Sequence, residues 1–363
     1  MTGAQVYLKA ENLQKTGSFK VRGAFHKMTG LSGKVIAASM GNHAQAVALA
    51  AGTLGMHARI VMPLTAPIVK GEATRGYGAE VVHYGESFQE ALEYARSHED
   101  FLFIHAYDDE KIIAGQGTVG IEIMEEMKGI DYVLIPVGGG GLVSGIAVAI
   151  KTLSPRTKII GVQTEAAPSA YVSFMEKKIS EKMPSPTLAD GIALGKIGDL
   201  TFEIINRYVD DMLLVDEDSI AMAILLFLER KKLVVEGAGA VPLAALLKNR
   251  ERFAGKKIAL VISGGNIDFT VIDRIIEKGL LTSGRRGVFS AVLDDVPGSL
   301  HAFAGIIFSH RGNILSLIHD RFASDLPIGR TKVAVAVEVR SKEHLEEILS
   351  DLTRKGFEVK GTL

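Results

Sequence analysis

The sequence predicts an α/β fold with parallel β-sheets, followed by a smaller α+β unit. Up to about residue 280, short apolar runs alternate with helical patterns, which is typical of a parallel sheet covered by helices. Three of the apolar runs end in turns rich in glycine, serine and asparagine. From residue 288 the predicted order is strand, helix, strand, strand, helix, strand, which fits a ferredoxin-like unit.

The individual elements follow from local periodicity. Strands are predicted at residues 5–9, 35–38, 58–62, 80–84, 132–137, 159–163, 213–215, 257–262, 288–293, 314–321, 331–339 and 357–359. After the helix that begins near residue 20, further helices are predicted at residues 43–54, 66–77, 87–97, 108–129, 142–153, 218–231, 239–249, 298–310 and 342–355. The charged stretch 168–186 is expected to be irregular, and the stretch 283–287 is expected to be a linker.

Composition limits the classes of function. The chain has 363 residues, enough for two or three domains with a sizeable core. The formal net charge is −1, so there is no basic field for nucleic acid. Cysteine is absent, which excludes disulfides, thiolate metal sites and cysteine nucleophiles and is compatible with a reducing cytoplasm. No apolar run could span a bilayer and the start is no signal peptide, so we expect a cytoplasmic protein without a membrane partner.

Lys20 is the candidate for covalent chemistry. It follows the small polar run Thr16-Gly17-Ser18 and Phe19, and a helical pattern begins directly after it. A cation in the first turn of a helix is opposed by the helix dipole, so it loses its proton more easily. A neutral amine is what Schiff-base chemistry requires. A solvated lysine is the usual alternative, but the turns downstream supply what a lysine-bound cofactor needs.

The glycines Gly138, Gly139, Gly140 and Gly141 lie between a buried strand and a helix. Backbone amides without neighbouring Cβ atoms can approach phosphate oxygens, and the helix dipole adds to the attraction. The loop is no Walker loop, because no Gly-Lys-Ser/Thr follows, and it lacks the spacing of a dinucleotide fingerprint. We therefore interpret it as a phosphate cradle rather than a flexible turn.

Two other strand ends carry polar turns. The first opens a helix, where backbone amides suit a substrate carboxylate, although an ordinary N-cap is the structural alternative. Its members are Ser39, Met40, Gly41, Asn42 and His43, of which His43 taken alone is interpreted as structural. The second turn covers residues 263–266, where the Ser263 hydroxyl could face a ring nitrogen; a plain β-turn is an equal alternative.

In this order, the Ser-Phe-Lys-Val-Arg-Gly-Ala run around Lys20, the Ser-x-Gly-Asn-His run, the tetraglycine loop and the Ser-Gly-Gly-Asn run resemble the threonine ammonia-lyase (threonine dehydratase) family. These are pyridoxal-phosphate enzymes with the tryptophan synthase β fold. The resemblance covers residues 1 to about 280. It implies a catalytic domain of residues 1–283 with two parallel-sheet subdomains, the small one, about 30–113, being inserted in the large one.

By this resemblance the cofactor is pyridoxal 5′-phosphate and the substrate is a small amino acid. The resemblance implies that Lys20 carries the cofactor, Phe19 packs on its ring and Asn42 hydrogen-bonds its 3′-oxygen. It further implies that glycines 138–141 hold the phosphate, Ser263 meets the pyridine nitrogen and residues 39–43 bind the substrate carboxylate.

Ser263 as ring partner favours β-elimination. A serine does not protonate the ring nitrogen as a carboxylate would, so negative charge at the substrate Cα is short-lived and the β-hydroxyl leaves before Cα is reprotonated. Lys20, once displaced by substrate, is the natural base for the Cα proton, and the phosphate can serve as acid toward the hydroxyl.

Three features depart from related proteins. Serine racemases, by resemblance, have a serine in place of Met40 that exchanges a proton on the face opposite the lysine; methionine cannot, so racemisation is not expected. The family normally has roughly one more helix and strand before residue 1, so we expect a less stable catalytic domain or a misplaced start in the gene model. Ser169 and Tyr171 differ from the racemase cation ligands near Glu165, so no metal site is predicted.

Residues 284–363 resemble an ACT domain, an amino-acid-sensing module, through the Asp-Val-Pro-Gly-Ser-Leu run at 295–300. The resemblance implies that isoleucine or valine binds at an interface between two such units. The residues that would bind it are Pro297, Gly298, Ser299, Leu300 and Asn313. Exposed sheet edges favour pairing, so a homo-oligomer, a dimer or tetramer, is expected. A unit that only drives oligomerisation is the alternative.

The sequence therefore predicts an enzyme that converts L-threonine to 2-oxobutanoate and ammonia, with L-serine to pyruvate as a side activity. One alternative is a serine racemase or serine dehydratase of the same fold; a cysteine synthase is less favoured, because its loops take different neighbours. Another is an amino-acid-binding regulator without catalysis, against which Lys20 argues. Whether the reaction serves synthesis or breakdown is left open by the sequence.

Overall fold

The computed structural model describes residues 2–322 and 325–362. Met1, Ala323, Ser324 and Leu363, which the predicted domains include, lie outside the described residues. The chain divides into two compact units, the first ending at Asp268 and the second beginning at Phe269. The predicted linker near residue 283 lies within the second unit, after its first helix.

The first unit contains alternating strands and helices. In chain order these are β1 (Gln5–Ala10), α1 (Lys20–Met28), β2 (Lys34–Ala38), α2 (Asn42–Leu54), β3 (His57–Met62), α3 (Ile68–Arg75), β4 (Glu80–His83), α4 (Phe88–Arg96), β5 (Leu102–Phe103), α5 (Glu110–Glu126), β6 (Tyr132–Pro136), α6 (Gly141–Leu153), β7 (Lys158–Thr164), α7 (Ser169–Glu176), α8 (Asp199–Tyr208), β8 (Asp211–Val215), α9 (Glu217–Leu226), α10 (Gly237–Lys248), α11 (Arg250–Phe253) and β9 (Lys257–Ile262).

Two parallel sheets organise this unit. The larger sheet has the order β1-β9-β6-β7-β8, and the smaller has the order β4-β3-β2-β5. All of their strand pairs are parallel, as the alternating pattern predicts. The central strands read as continuous apolar runs because helices cover both faces; residues 258–262 of β9, for example, are buried in succession.

The prediction for residues 168–186 is wrong at its start. Helix α7 begins at Ser169, and it buries Ala170 and Phe174 in the apolar core of the larger sheet. The helix is stabilised by these core contacts, because the local sequence has little helical periodicity of its own. The sequence likewise does not predict helices α8 and α11 or the short strand β5.

Glycines allow three helices to pack at very short range. A Cβ on Gly145 of α6 would overlap the Ile113 carbonyl oxygen of α5. A Cβ on Gly115 of α5 would lie 2.7 Å from the Cα of Gly23 in α1. Helix α5 is therefore the common support of α1, which begins with Lys20, and of α6, which begins at the tetraglycine loop.

An ion-pair network fixes the start of α1. The Arg22 guanidinium donates to both carboxylate oxygens of Glu11, at 2.7 and 2.8 Å, and to both of Glu122 in α5, at 2.6 and 2.7 Å. These bonds lower the pKa of Glu122 to about 2. Bidentate pairs of this kind restrict orientation as well as distance, so the turn that carries Lys20 is held from two sides.

The second unit contains α12 (Phe269–Thr282), β10 (Arg286–Asp294), α13 (Ser299–Ser309), β11 (Asn313–Asp320), β12 (Arg330–Glu338), α14 (Lys342–Arg354) and β13 (Glu358–Thr362). Its strands form one antiparallel sheet with the order β11-β12-β10-β13. The apolar residues of α13 and α14 that face the sheet, such as Phe303 and Ile348, form its core. After α12, the strand and helix order is the predicted one.

Across the described parts of both units, none of the helices is long and apolar enough to cross a membrane.

We expect Gly145→Ala to lower the free energy of unfolding by about 1–3 kcal/mol, because the added methyl group must displace the backbone of α5. Chemical denaturation measures this change. Gly71→Ala in α3 is the matched control, since its Cβ would have its nearest neighbour at 3.6 Å. The control should be neutral or stabilising, by up to about 1 kcal/mol. Equal stability of the two variants would contradict close packing of α5 and α6.

Candidate active site

The loop before Lys20 is paired with the segment that follows β9. The Phe19 amide donates to the Ser263 carbonyl oxygen at 3.0 Å, and the Gly265 amide donates to the Gly17 carbonyl oxygen at 2.9 Å. Gly17 has a φ of 71°, which a residue with a side chain adopts only with strain. These bonds place the first residue of α1 beside the carboxyl end of β9, where the second sequence motif begins.

Lys20 lies in an environment that favours its neutral form. Its Nζ donates to the Ala106 carbonyl oxygen at 2.8 Å and lies 5.2 Å from the centroid of the Phe19 ring. Loss of solvent around the ammonium lowers the pKa of Lys20 to about 8, although the negative charge of Glu236 acts in the opposite direction. A lysine of this kind reacts as a nucleophile or base near neutral pH.

The tetraglycine loop opens α6, as predicted. Gly140 has a φ of 95°, and α6 begins at the next residue. A Cβ on Gly139 would overlap the Tyr107 ring, and a Cβ on Gly140 would lie 2.8 Å from Thr201. Packing of Tyr107 and Thr201 against the loop therefore requires glycine at these two positions. This requirement is separate from any need for a ligand to approach the backbone. The first amides of α6 have no partner within the helix, which suits an anion such as phosphate.

A segment that the sequence analysis missed connects Lys20 with the glycines. Ala106 accepts the Lys20 bond, and Tyr107 covers Gly139. Its neighbour Asp108 accepts from the Thr201 amide at 3.1 Å, and this bond anchors the segment to α8. The available signal was a run of aromatic and acidic residues, His-Ala-Tyr-Asp-Asp, directly after an apolar stretch.

The turn after β2 lies where the sequence placed it, but its members differ in role. The Ser39 hydroxyl accepts from the Gly41 amide at 3.2 Å, and no described atom lies within 4 Å of a Cβ built on Gly41. This side of the turn therefore faces open space. Met40 packs against the apolar core of the smaller sheet. His43 is buried, bonds the Ile104 carbonyl oxygen at 2.9 Å, and burial lowers its pKa to about 3, so it supports the turn as a neutral ring.

Asn42, the first residue of α2, bonds two residues that lie next to α10 and β9. Its Nδ2 donates to both carboxylate oxygens of Glu236 at 3.0 Å, and its Oδ1 accepts from Asn266 Nδ2 at 2.7 Å. Glu236 lies directly before α10 and is only 5% exposed, and this burial raises its pKa to about 7. Sequence reasoning missed Glu236, although an acidic residue opening the apolar Glu-Gly-Ala-Gly-Ala run was a usable signal.

Three buried hydroxyls lie on the two paired segments. Ser263 is 3% exposed at the end of β9. The hydroxyls of Thr16 and Ser18 are buried and have no hydrogen-bond partner among the described residues. A buried hydroxyl without a partner is costly, so it points to a group that the protein binds at this place.

The neighbourhood of Glu165, considered as a cation site by resemblance, is occupied by a lysine. Lys248 Nζ lies 3.1 Å from a Glu165 carboxylate oxygen and 2.9 Å from one of Asp216. Ser169 donates its hydroxyl to the Leu194 carbonyl oxygen. Within the described ranges, no group of three or more histidine, cysteine, aspartate or glutamate side chains could hold a metal ion.

These features fit an aldehyde cofactor that carries a phosphate. Lys20 supplies an amine with a lowered pKa, and the start of α6 supplies unpaired amides. Ser263 and the unpartnered hydroxyls of Thr16 and Ser18 supply polar contacts, and the turn at Gly41 leaves room. Such a group and an amino acid would meet between the carboxyl ends of the two sheets, where open α/β sheets bind ligands.

Comparison with known proteins agrees with this geometry. A family model described as pyridoxal-phosphate dependent enzyme matches residues 1–264. The L-threonine ammonia-lyase of Thermotoga maritima is 50% identical over 368 residues, which cover 99% of this chain and 92% of that protein. The processed form of threonine deaminase isoform 2 from Solanum lycopersicum is 40% identical with a TM-score of 0.73, over 76% of this chain and 83% of that one. Maize serine racemase is 34% identical with a TM-score of 0.71, over 77% and 88%.

The family match covers most of the chain and contains Lys20, the tetraglycine loop and Ser263. The relative of high identity extends through both units. The chain therefore belongs to the pyridoxal-phosphate-dependent enzymes with the tryptophan synthase β-like fold.

Proposed function

We propose that this protein deaminates L-threonine to 2-oxobutanoate and ammonia, and L-serine to pyruvate as a side activity. The observation that carries the proposal is Lys20, whose lowered pKa and bond to Ala106 prepare an amine beside the phosphate loop. The similarity to L-threonine ammonia-lyase over nearly the whole chain supports threonine as the substrate.

Pyridoxal phosphate, when bound, withdraws electrons and makes the Cα proton of an amino acid removable. Lys20 is then the base that takes this proton, because its amine is released when substrate replaces it. We assign the phosphate to the amides of glycines 138–141 and the substrate carboxylate to the amides of the turn 39–43. Phe19 would lie against the ring of the cofactor, Ser263 would meet its nitrogen as a neutral partner, and Asn42 would bind its 3′-oxygen.

Racemisation is the less supported alternative. By resemblance, racemases have a proton-exchanging serine where this chain has Met40, and a thioether holds no exchangeable proton. The solved serine racemase shares the fold at 34% identity, whereas L-threonine ammonia-lyase of Thermotoga maritima shares 50%. Chiral analysis of serine left after partial turnover distinguishes the two reactions, since a pure lyase leaves L-serine unconverted to the D-form.

For the second unit we propose an ACT-like role, the sensing of isoleucine or valine. Its antiparallel order β11-β12-β10-β13 is that of a ferredoxin-like sheet. Gly298 lies directly before α13 with a φ of 94°, and no described atom is within 4 Å of a Cβ built on it. The amides at Ser299 and Leu300 would bind the carboxylate, Pro297 would shape the loop, and Asn313, which donates to Glu338, would bind the amino group.

Oligomerisation and location remain predictions. The edge strand β11 carries exposed apolar side chains, among them Leu315 and Ile318, which supports pairing with a second copy into a dimer or tetramer. The absence of cysteine supports the cytoplasm as the compartment.

Lys20→Ala should abolish threonine deamination. The variant lacks both the amine that carries the cofactor and the base, and a general base alone contributes about 10²–10⁴ in rate. Release of 2-oxobutanoate from L-threonine measures the activity. Lys15→Ala, in the exposed part of the same loop, is the matched control and should retain wild-type turnover. Comparable rates in the two variants would sink the assignment of Lys20.

Cofactor uptake should depend on pH through Lys20. The pKa of Lys20 is lowered to about 8, so the reactive neutral amine predominates above pH 8 and is lost as the pH falls below it. Uptake of pyridoxal phosphate by cofactor-free protein, followed by visible absorbance, should have its midpoint near pH 8. A free lysine derivative under the same conditions serves as control. A midpoint near the ordinary lysine value of 10.5 would contradict the burial of this amine.

Calorimetric titration of the full chain with isoleucine or valine tests the second unit. We expect heat of binding that Gly298→Val removes, because valine does not adopt a φ of 94° without strain and would fill the space beside α13. Gly305→Ala, within α13 and also without close neighbours, is the control that should bind normally. Absence of binding to wild type would leave oligomerisation as the role of the unit.

A further inference from the structure

Glu236 is an acidic residue at a helix start that does not cap its own helix. It occupies the position directly before α10, yet its side chain makes no capping bond there. Both of its oxygens instead accept from Asn42 Nδ2, at 3.0 Å each. The Asn266 backbone amide also donates to this carboxylate. The side chain thus binds Asn42, the first residue of α2, rather than capping its own helix.

The surrounding backbone makes room for this carboxylate. A Cβ on Gly264 would overlap Glu236 Oε1, and a Cβ on Gly239 would lie 2.7 Å from the Gly264 carbonyl oxygen. Glu236 is 5% exposed, and no cation pairs with it at ion-pair distance among the described residues. Burying a carboxyl group in this way is costly for stability, which indicates that the position has a use other than stability.

The bond to Glu236 determines how the Asn42 amide is oriented. At the other end of the amide, Asn42 Oδ1 accepts from Asn266 Nδ2 at 2.7 Å. The same Asn266 group donates to the Thr16 carbonyl oxygen at 2.7 Å, in the loop that leads to Lys20. With a donor at one end and an acceptor at the other, the amide cannot reverse without losing both partners.

We propose that Glu236 is a positioning residue, which holds the Asn42 amide in the orientation that binds the cofactor's 3′-oxygen beside Lys20. Asn42 Nδ2 lies 3.0 Å from both Glu236 oxygens, so one N–H shared between them would leave the second N–H for the cofactor's oxygen. The inference rests on the cofactor role assigned to Asn42 in the proposed function. Glu236 acts through Asn42 and itself needs no contact with substrate.

A double-mutant cycle on cofactor binding tests this inference. Cofactor-free wild type, Glu236→Ala, Asn42→Ala and the double variant are titrated with pyridoxal phosphate, and the absorption spectrum of each complex is recorded. We expect Glu236→Ala to weaken binding at least tenfold and to shift the absorption band in the same direction as Asn42→Ala. In the Asn42→Ala background, Glu236→Ala should weaken cofactor binding by less than a further twofold, because the side chain through which Glu236 acts is absent.

The kinetic parameters give a second readout. Glu236→Ala should lower kcat at least tenfold and change KM for L-threonine less than threefold, whereas Glu236→Gln, which retains one acceptor for Asn42, should lie closer to wild type. Asp210→Asn is the matched control. Asp210 accepts from the Ile159 amide and two lysines at the opposite edge of the larger sheet, so its loss should lower thermal stability without changing the spectrum.

The inference would be overturned if Glu236→Ala kept the wild-type cofactor affinity and spectrum. It would also be overturned if Glu236→Ala lowered cofactor affinity equally in the wild-type and Asn42→Ala backgrounds. Should Glu236→Ala not fold, Glu236→Asp replaces it in the cycle, because the shorter carboxylate withdraws from Asn42. Since binding is titrated directly, these outcomes are independent of turnover. A wild-type protein that binds the cofactor but releases no 2-oxobutanoate would overturn the proposed function instead.

Discussion

The pairing of the Lys20 loop with the end of β9 is the constraint on which the site depends. Two backbone bonds join residues that lie at opposite ends of the first unit's sequence, between Phe19 and Ser263 and between Gly17 and Gly265. Because β9 is an interior strand of the larger sheet, these bonds hold the Lys20 loop against a rigid part of the fold. The Arg22 network and the glycine contacts of α5 hold the same turn from the other side.

Desolvation then gives this fixed amine its chemistry. The ammonium of Lys20 has a carbonyl oxygen as its hydrogen-bond partner rather than a carboxylate, so the loss of water is only partly compensated and its pKa falls. The nearby carboxyl group of Glu236 instead accepts hydrogen bonds from Asn42. A direct ion pair would have kept the lysine protonated, so the separation of these two groups is what makes Lys20 useful as a nucleophile or base.

The second unit is constructed on different principles. The first unit consists of parallel strands with helices between them, and its polar groups converge at strand ends. The second is an antiparallel sheet with helices α13 and α14 against one face and an apolar edge strand exposed. The polar groups that we assign to the chemistry therefore lie in the first unit, and the regulatory role that we propose for the second unit would use a separate fold with an exposed sheet edge suited to pairing.

Sequence alone determined the fold class, the order of most elements and the motifs around Lys20, Gly138 and Ser263, because apolar periodicity and glycine-rich turns are local properties. It did not give α7, whose helix depends on burial of Phe174 in a distant core. Nor did it give Glu236 or the segment at Tyr107, since their roles arise from contacts with Asn42 and Gly139 across the fold. Local pattern fixes which residues can form an element, whereas only tertiary packing decides which side chains lose water and which ones meet.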